Sequence, residues 1–312
     1  MRFLSTPLWF LSAFLASGTL DAQNPPPSPS PQPFTLEVSV DVVSVTVVVH
    51  DKSGHFVRGL GANDIQVFED GVPQQVTYFR EASGDAKIPL SVVLVLDASG
   101  SMNKVMHFLQ EAADEFIGKL EDVDKTLVVD FNEAVRGSKD FTGDPQRLEE
   151  FIDALEGWGG TSLYDAIEYS LERVKDQAGR KALIVFTDGE DTTSTLSEKQ
   201  VMDYARSVEA TVYTVGIRSD SGLFARSPRG FLKKIATETG GAFFFPEKIG
   251  ELIRIFAGIA DELHNHYLLA YTPKRAPDGT FRTIEVRLKQ KDLDVRVRKG
   301  YFALKRRRPP GS

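Results

Sequence analysis

The sequence predicts an α/β fold: a central, mostly parallel sheet with one antiparallel edge strand and helices on both faces, inserted in a discontinuous β-sandwich. Three observations point to it. Short, predominantly apolar runs without polar alternation, at 90–96, 126–131, 182–186 and 211–217, alternate with stretches of helical periodicity. A strand apolar on both faces needs cover on both, as in a parallel sheet wrapped by amphipathic helices. The other β signals lie on either side of this unit, and each group alone would leave an apolar sheet face in water.

Taken in order, residues 1–22 read as a secretory signal: Arg2, an apolar stretch at 7–15, then small and polar residues through Ala22. Ser5, Thr6, Ser12 and Ser17 interrupt the run, whereas a membrane span needs about 20 consecutive apolar residues. The expectation is export to the periplasm, the cell envelope or the medium, with no stable transmembrane segment once the signal is removed. There is no cysteine, so neither a lipid anchor on cysteine nor a disulfide is available, and a domain with a large core needs none. Residues 23–33 are a proline-rich linker, since proline lacks the amide donor of helices and central strands.

The first sandwich part is expected at 34–84. Its alternation changes phase, from Leu36, Val38, Val40 and Val42 to Val43, Val45, Val47 and Val49, which predicts a bulge or break at the change. Strands follow at 65–69 and 74–80, joined by the turn signal Asp70-Gly71. The α/β unit spans 88–263. Val105, Phe108, Leu109, Ala112, Phe116 and Leu120 form one helix face, and Ile167, Leu171 and Val174 begin another. Further helices are expected near 145–156, 197–208, 229–239 and 247–263. The segment 134–141 follows its predecessor too closely for a crossover, so it is the antiparallel edge strand. The second sandwich part, 264–303, contains strands at 267–271, 281–288 and 293–297 and a turn at Pro277-Asp278-Gly279. Residues 304–312 form a basic tail, in which Lys305 to Arg308 read as a solvated terminus.

With 41% hydrophobic and 26% charged residues the chain has a globular composition, which excludes disorder throughout. Its formal charge of −7 argues against a nucleic-acid binder, which would concentrate basic side chains on one face.

Three polar clusters stand where the apolar strands end or the helices begin: Asp97-Ala98-Ser99-Gly100-Ser101, Gly159-Gly160-Thr161-Ser162 and Thr187-Asp188-Gly189-Glu190-Asp191. Loops at the carboxyl ends of parallel strands converge, so all three offer oxygen ligands to one point. Serine and aspartate here could simply be helix caps, and Asp188-Gly189 an ordinary turn, but capping does not require all three loops to be polar in this manner. Glu190 and Asp191 read as solvated loop acids. His264 and His266 fall on one face of a predicted strand, two ligands without a third. Trp158 reads as core packing, with a place beneath the site or on its rim as the alternative.

Asp97, Ser99 and Ser101 match the Asp-x-Ser-x-Ser pattern, and with Thr161 and Asp188 the set resembles the metal-ion-dependent adhesion site of von Willebrand factor A (vWA) domains. The resemblance implies a Rossmann-like domain over about 88–263 and a divalent cation at these five positions. The flanking Gly-Leu-x-x-x-Asp-Ile at 59–65, Phe-Glu-Asp-Gly at 68–71 and Gly-Tyr-Phe at 300–302 are similar to the VWFA-related acidobacterial domain family. An all-oxygen set suits Mg²⁺, or Mn²⁺, whereas zinc would favour histidine or cysteine. The function so implied is non-enzymatic: an exported adhesion or assembly module whose metal bridges to an exposed Asp or Glu carboxylate of a partner protein. The alternatives are an envelope protein in which the metal only stiffens the loops, and a metal-dependent phosphotransferase or hydrolase. A phosphotransferase would use Asp97 as nucleophile but would want a second aspartate where Ser99 stands. No esterase elbow, phosphate-binding loop or zinc-protease motif is present.

Overall fold

The computed structural model describes residues 42–82, 88–218 and 229–304. The expected signal, the linker, the first phase of the 36–49 alternation and the basic tail at 305–312 lie outside them. Strand β1 (Val43–His50) carries the second phase, and Val45, Val47 and Val49 are fully buried. β2 (Ile65–Glu69) turns into β3 (Val72–Gln74) through Asp70 and Gly71, whose φ values of 47° and 76° are those of a type I′ hairpin. The single strand expected at 74–80 is two, because β3 and β4 (Val76–Ala82) belong to different sheets and the chain crosses between them at Gln75.

The α/β unit runs β5 (Leu90–Asp97), α1 (Met106–Ile117), β6 (Lys125–Phe131), β7 (Val135–Gly137), α2 (Pro145–Asp153), α3 (Leu163–Val174), β8 (Arg180–Thr187), α4 (Glu198–Ser207), β9 (Thr211–Gly216), α5 (Arg229–Thr239), β10 (Phe243–Phe244) and α6 (Leu252–His264). The sheet order is β10-β9-β8-β5-β6-β7, parallel throughout except that β7 runs antiparallel to β6 at the edge. β7 is shorter than the expected 134–141. Every residue of the central β5 is buried, and its side chains alternate between two cores. Val92, Leu94 and Leu96 pack with Leu109 and Phe116 of α1 and Phe256 and Ile259 of α6, while Val93 and Val95 pack with Ile167 of α3, Val201 of α4 and Leu232 of α5.

β11 (His266–Tyr271), β12 (Phe281–Leu288), β13 (Asp294–Arg296) and β14 (Gly300–Phe302) follow. They join the first four strands in two antiparallel sheets, β13-β1-β11-β4 and β14-β12-β2-β3, so each sheet takes two strands from either side of the α/β unit. The apolar core between the sheets is built by Val45, Val47, Val67, Tyr267, Leu269 and Ile284, among others. Two of the sequence motifs meet here. Glu69 accepts from Arg282 Nη1 at 3.0 Å and from the hydroxyls of Tyr271 and Tyr301 at 2.8 Å each. Arg282 is 1% exposed and completes its bonds on the carbonyls of Arg275 and Ala276. A buried ion pair needs its remaining donors engaged, and both Nη atoms of Arg282 are, while its Nε has no acceptor among the described residues.

α6 and β11 are separated by Asn265 alone, so His264 closes a helix and His266 opens a strand. The two histidines therefore do not share a strand face. His264 Nε2 lies 2.7 Å from Asp124 Oδ2, and His266 Nδ1 lies 3.0 Å from Arg180 Nη1.

Candidate functional site

Asp97 is the last residue of β5 and is 0% exposed. The amide of Ser99 donates to its Oδ1 at 2.8 Å and the hydroxyl of Thr187 donates to its Oδ2 at 2.5 Å. Burial pushes the carboxyl up to about 6; the bonds from Ser99 and Thr187 pull the other way, and the charge of Asp188 adds to the rise. Ser99 Oγ stands 3.2 Å from Ser101 Oγ, and the exposed Ser101 hydroxyl donates to Asp188 Oδ1 at 2.7 Å. Hydrogen bonds thus connect Asp97, Ser99, Ser101 and Asp188 across the ends of β5 and β8.

Thr161 is bound through its backbone to the loop that carries Asp188, not to the four residues themselves. Its amide donates to Thr192 Oγ1 at 2.9 Å, and its carbonyl accepts from the amide of Thr192 at 2.8 Å. Its hydroxyl lies beside Gly189, 3.5 Å from where a Cβ there would stand. The loop carrying Thr161 is bound to the first loop by Gly100 N to Gly159 O at 3.2 Å and Trp158 N to Ala98 O at 2.9 Å. Glycine permits this approach: a Cβ at Gly157 would stand 2.8 Å from Ser99 O, and one at Gly160 would stand 3.0 Å from Thr192 Oγ1. The third loop is laced onto α3, with Asp191 accepting from Tyr164 N at 3.2 Å and Asp165 accepting from the amides of Thr195 and Leu196. Asp191 is thus a loop staple, while Glu190 is exposed.

Among the described residues no three His, Cys, Asp or Glu side chains gather in metal-holding geometry, so any cation here would rest on two carboxylates and on hydroxyl oxygens. The donor chemistry fits a hard ion such as Mg²⁺, which is held by one or two carboxylates with the remaining positions filled by weaker oxygens or water. The desolvated Asp97 beside Asp188 fits as well, because a cation offsets both burial and repulsion.

Sequence reasoning assigned no role to Thr187, the hydroxyl that holds Asp97 Oδ2. Its only signal is its place as the polar end of an apolar strand. Trp158 is 49% exposed, against the expectation of core packing. Its backbone is fixed against Ala98 while its ring faces outward, with the Arg136 guanidinium 5.9 Å from the ring centroid.

The model of the von Willebrand factor type A domain matches residues 91–257, more than half of the chain. The chain belongs to that family. A solved vWA protein from Catenulispora acidiphila shares the fold at a TM-score of 0.51 and 14% identity, covering 83% of this chain and 73% of that one. The vWF domain of a type V pilus tip protein from Porphyromonas gingivalis aligns with a TM-score of 0.46 and 16% identity, over 56% of this vWA chain and 94% of its own. An uncharacterized protein of Synechocystis sp. is 24% identical over 209 residues, 61% of this chain. The chain spans about half the length of that relative, 47%. Among the described residues no helix is long and apolar enough to cross a membrane.

Proposed function

We propose that this vWA protein is an exported, non-catalytic binding module in which Asp97, Ser99, Ser101, Thr161 and Asp188 hold Mg²⁺ or Mn²⁺, and that a partner protein docks there through an exposed Asp or Glu carboxylate. The observation that carries the reading is the bonded cluster of Asp97, Ser99, Ser101 and Asp188 at the carboxyl end of the sheet, with Thr161 on the adjoining loop. Family membership supports it. Asp97 and Asp188 would supply the charge, and the hydroxyls would bind directly or through water. Such a set leaves room for an outside ligand, and a hard cation selects a carboxylate oxygen for it. Trp158, exposed beside the first loop, is suited to the rim of such an interface, where aromatic anchors carry much of the binding energy.

The test is calorimetric titration of the chelator-stripped protein with MgCl₂ and MnCl₂. The wild type should give a saturable, stoichiometric heat, and Asp97→Ala should abolish it while circular dichroism stays unchanged. An Asp97→Ala protein that titrates like the wild type removes the assignment. A chelator-insensitive pull-down of an envelope partner removes the bridging role.

A further inference from the structure

At the opposite end of the parallel sheet, where it meets the sandwich, the chain encloses a cavity of about 140 Å³. Among the described residues Arg180, Lys181 and Arg298 line it together with one carboxylate, Glu209, and with Ser44 and Thr46 of β1. His266 forms a further part of the wall. The volume has room for several water molecules or for one small polyatomic ion.

Arg180 is 6% exposed, and all four of its hydrogen-bond partners are neutral. Its Nη1 donates to the carbonyls of Glu262 at 3.1 Å and Leu263 at 2.6 Å and to His266 Nδ1 at 3.0 Å, and its Nη2 donates to the Tyr213 hydroxyl at 3.2 Å. The nearest carboxylate on this path is one hydroxyl further, where Tyr213 donates to Glu262 Oε1 at 2.6 Å. Because a guanidinium can only donate, His266 Nδ1 must accept, which places the imidazole proton on Nε2. That Nε2 and the Nε of Arg180 are buried donors without an acceptor. Both belong to residues of the cavity wall, and among the described residues no orphaned side-chain acceptor does. Buried donors left unsatisfied are costly, and two on one wall mark a place where an acceptor is expected.

The charge balance has the same sign. Glu209 acts on Arg298, leaving Arg180 and Lys181 in excess. Among the described residues Lys181 Nζ makes only a long bond, 3.5 Å, to the carbonyl of Gln177. We propose that this cavity binds a small oxyanion, a carboxylate or a phosphate group, which accepts from Arg180 and His266 and is flanked by Lys181 and Arg298, fastening the sandwich to the base of the vWA sheet. The site is separate from the Asp97 cluster, and nothing in it depends on a divalent cation.

The experiment titrates the intact protein with sodium phosphate and, separately, sodium acetate in the presence of EDTA, against sodium chloride at equal ionic strength. Isothermal calorimetry and the ring Nε2–H signal of His266 in ¹⁵N-histidine-labelled protein are the readouts. Saturable binding of one anion per chain is expected, with the His266 signal moving in proportion to occupancy. Preference for phosphate or for acetate identifies the oxyanion. Lys181→Ala should weaken binding about tenfold, the loss of one bond to a charged group. Thr46→Phe, which fills the cavity from the sandwich side, should abolish it. No saturable binding beyond that of chloride overturns the proposal. So does binding that leaves the His266 signal unmoved, because the ion then sits elsewhere on the surface. If either variant fails to fold, the wild-type His266 signal alone decides.

Discussion

The two ends of the vWA sheet handle buried charge in opposite ways. At the amino end the Nη atoms of Arg180 are engaged by neutral groups of the chain itself, above all the last carbonyls of α6, where a helix terminus favours positive charge, and its Nε is left without an acceptor. At the carboxyl end Asp97 is equally buried, but its partners are an amide and a hydroxyl, and its charged neighbour is a second carboxylate. One end is closed by contacts with the sandwich. The other brings Asp97 and Asp188 together on two loops, the pair proposed above to hold a cation. Parallel architecture explains the division, since it sends loops to one end and the returning chain to the other.

The sharpest way to break the contrast is to remove the covering. Deleting residues 34–84 takes two of the four strands from each sandwich sheet. Limited proteolysis should then cut within 266–303, where the intact protein should resist; unchanged resistance there would mean that the C-terminal strands fold without β1 to β4. Next in size is Arg180→Leu, which strips the helix carbonyls and His266 of their shared donor. Urea denaturation should show a loss of about 1–3 kcal/mol, the cost of leaving a buried acceptor unsatisfied. Asp97→Ala, by contrast, should leave the metal-free protein near wild-type stability. Equal losses for both variants would erase the distinction between the two ends.

The smallest effect concerns pH. His264 is bonded to Asp124, and that bond raises its pKa, so the folded chain holds the proton more tightly than the unfolded one. Its contribution is complete below the unfolded value of about 6.5 and is lost as pH rises through the higher folded value. His264→Gln should therefore cost about 1 kcal/mol at pH 5.5, the net worth of one hydrogen bond, and less at pH 8.5. His266 works in the other direction: burial and Arg180 push it down to about 2, so its share of stability is present above the unfolded value and is lost on acidification. Urea titrations of His264→Gln and the wild type at the two pH values separate them. An equal difference at both values would show that His264 does not titrate with folding.

The fastening of α6 bears on how a docking event could be felt elsewhere. The helix enters β11 through Asn265 alone, which would carry a shift directly into the sandwich. Yet its end is tied by Arg180, by Tyr213 on Glu262, by Asp124 on His264 and by Arg58 on Asn265 at 2.7 Å. These contacts favour a static helix end, and a coupled movement would have to break them in concert.

Residues 90–96, 126–131, 182–186 and 211–217 announced a sheet buried on both faces because such burial favours a predominantly apolar run over polar alternation. Asp70-Gly71 announced its hairpin because positive φ demands those residue types. That the loops of Asp97, Thr161 and Asp188 approach one another was legible for a related reason, since loops at the carboxyl ends of parallel strands converge. The choice of Asp97, Ser99, Ser101, Thr161 and Asp188 among their polar residues rested on the resemblance to the vWA adhesion site. Local pattern reports burial, backbone angle and strand order, and these are properties of a residue and its near neighbours. It does not report which distant segment arrives opposite. The crossing between sheets at Gln75, the exposure of Trp158, the hold of Thr187 on Asp97, the separation of His264 from His266 and the enclosure of Arg180 were therefore decided only by the tertiary structure, because each depends on contacts between chain segments brought together by the packing of the whole.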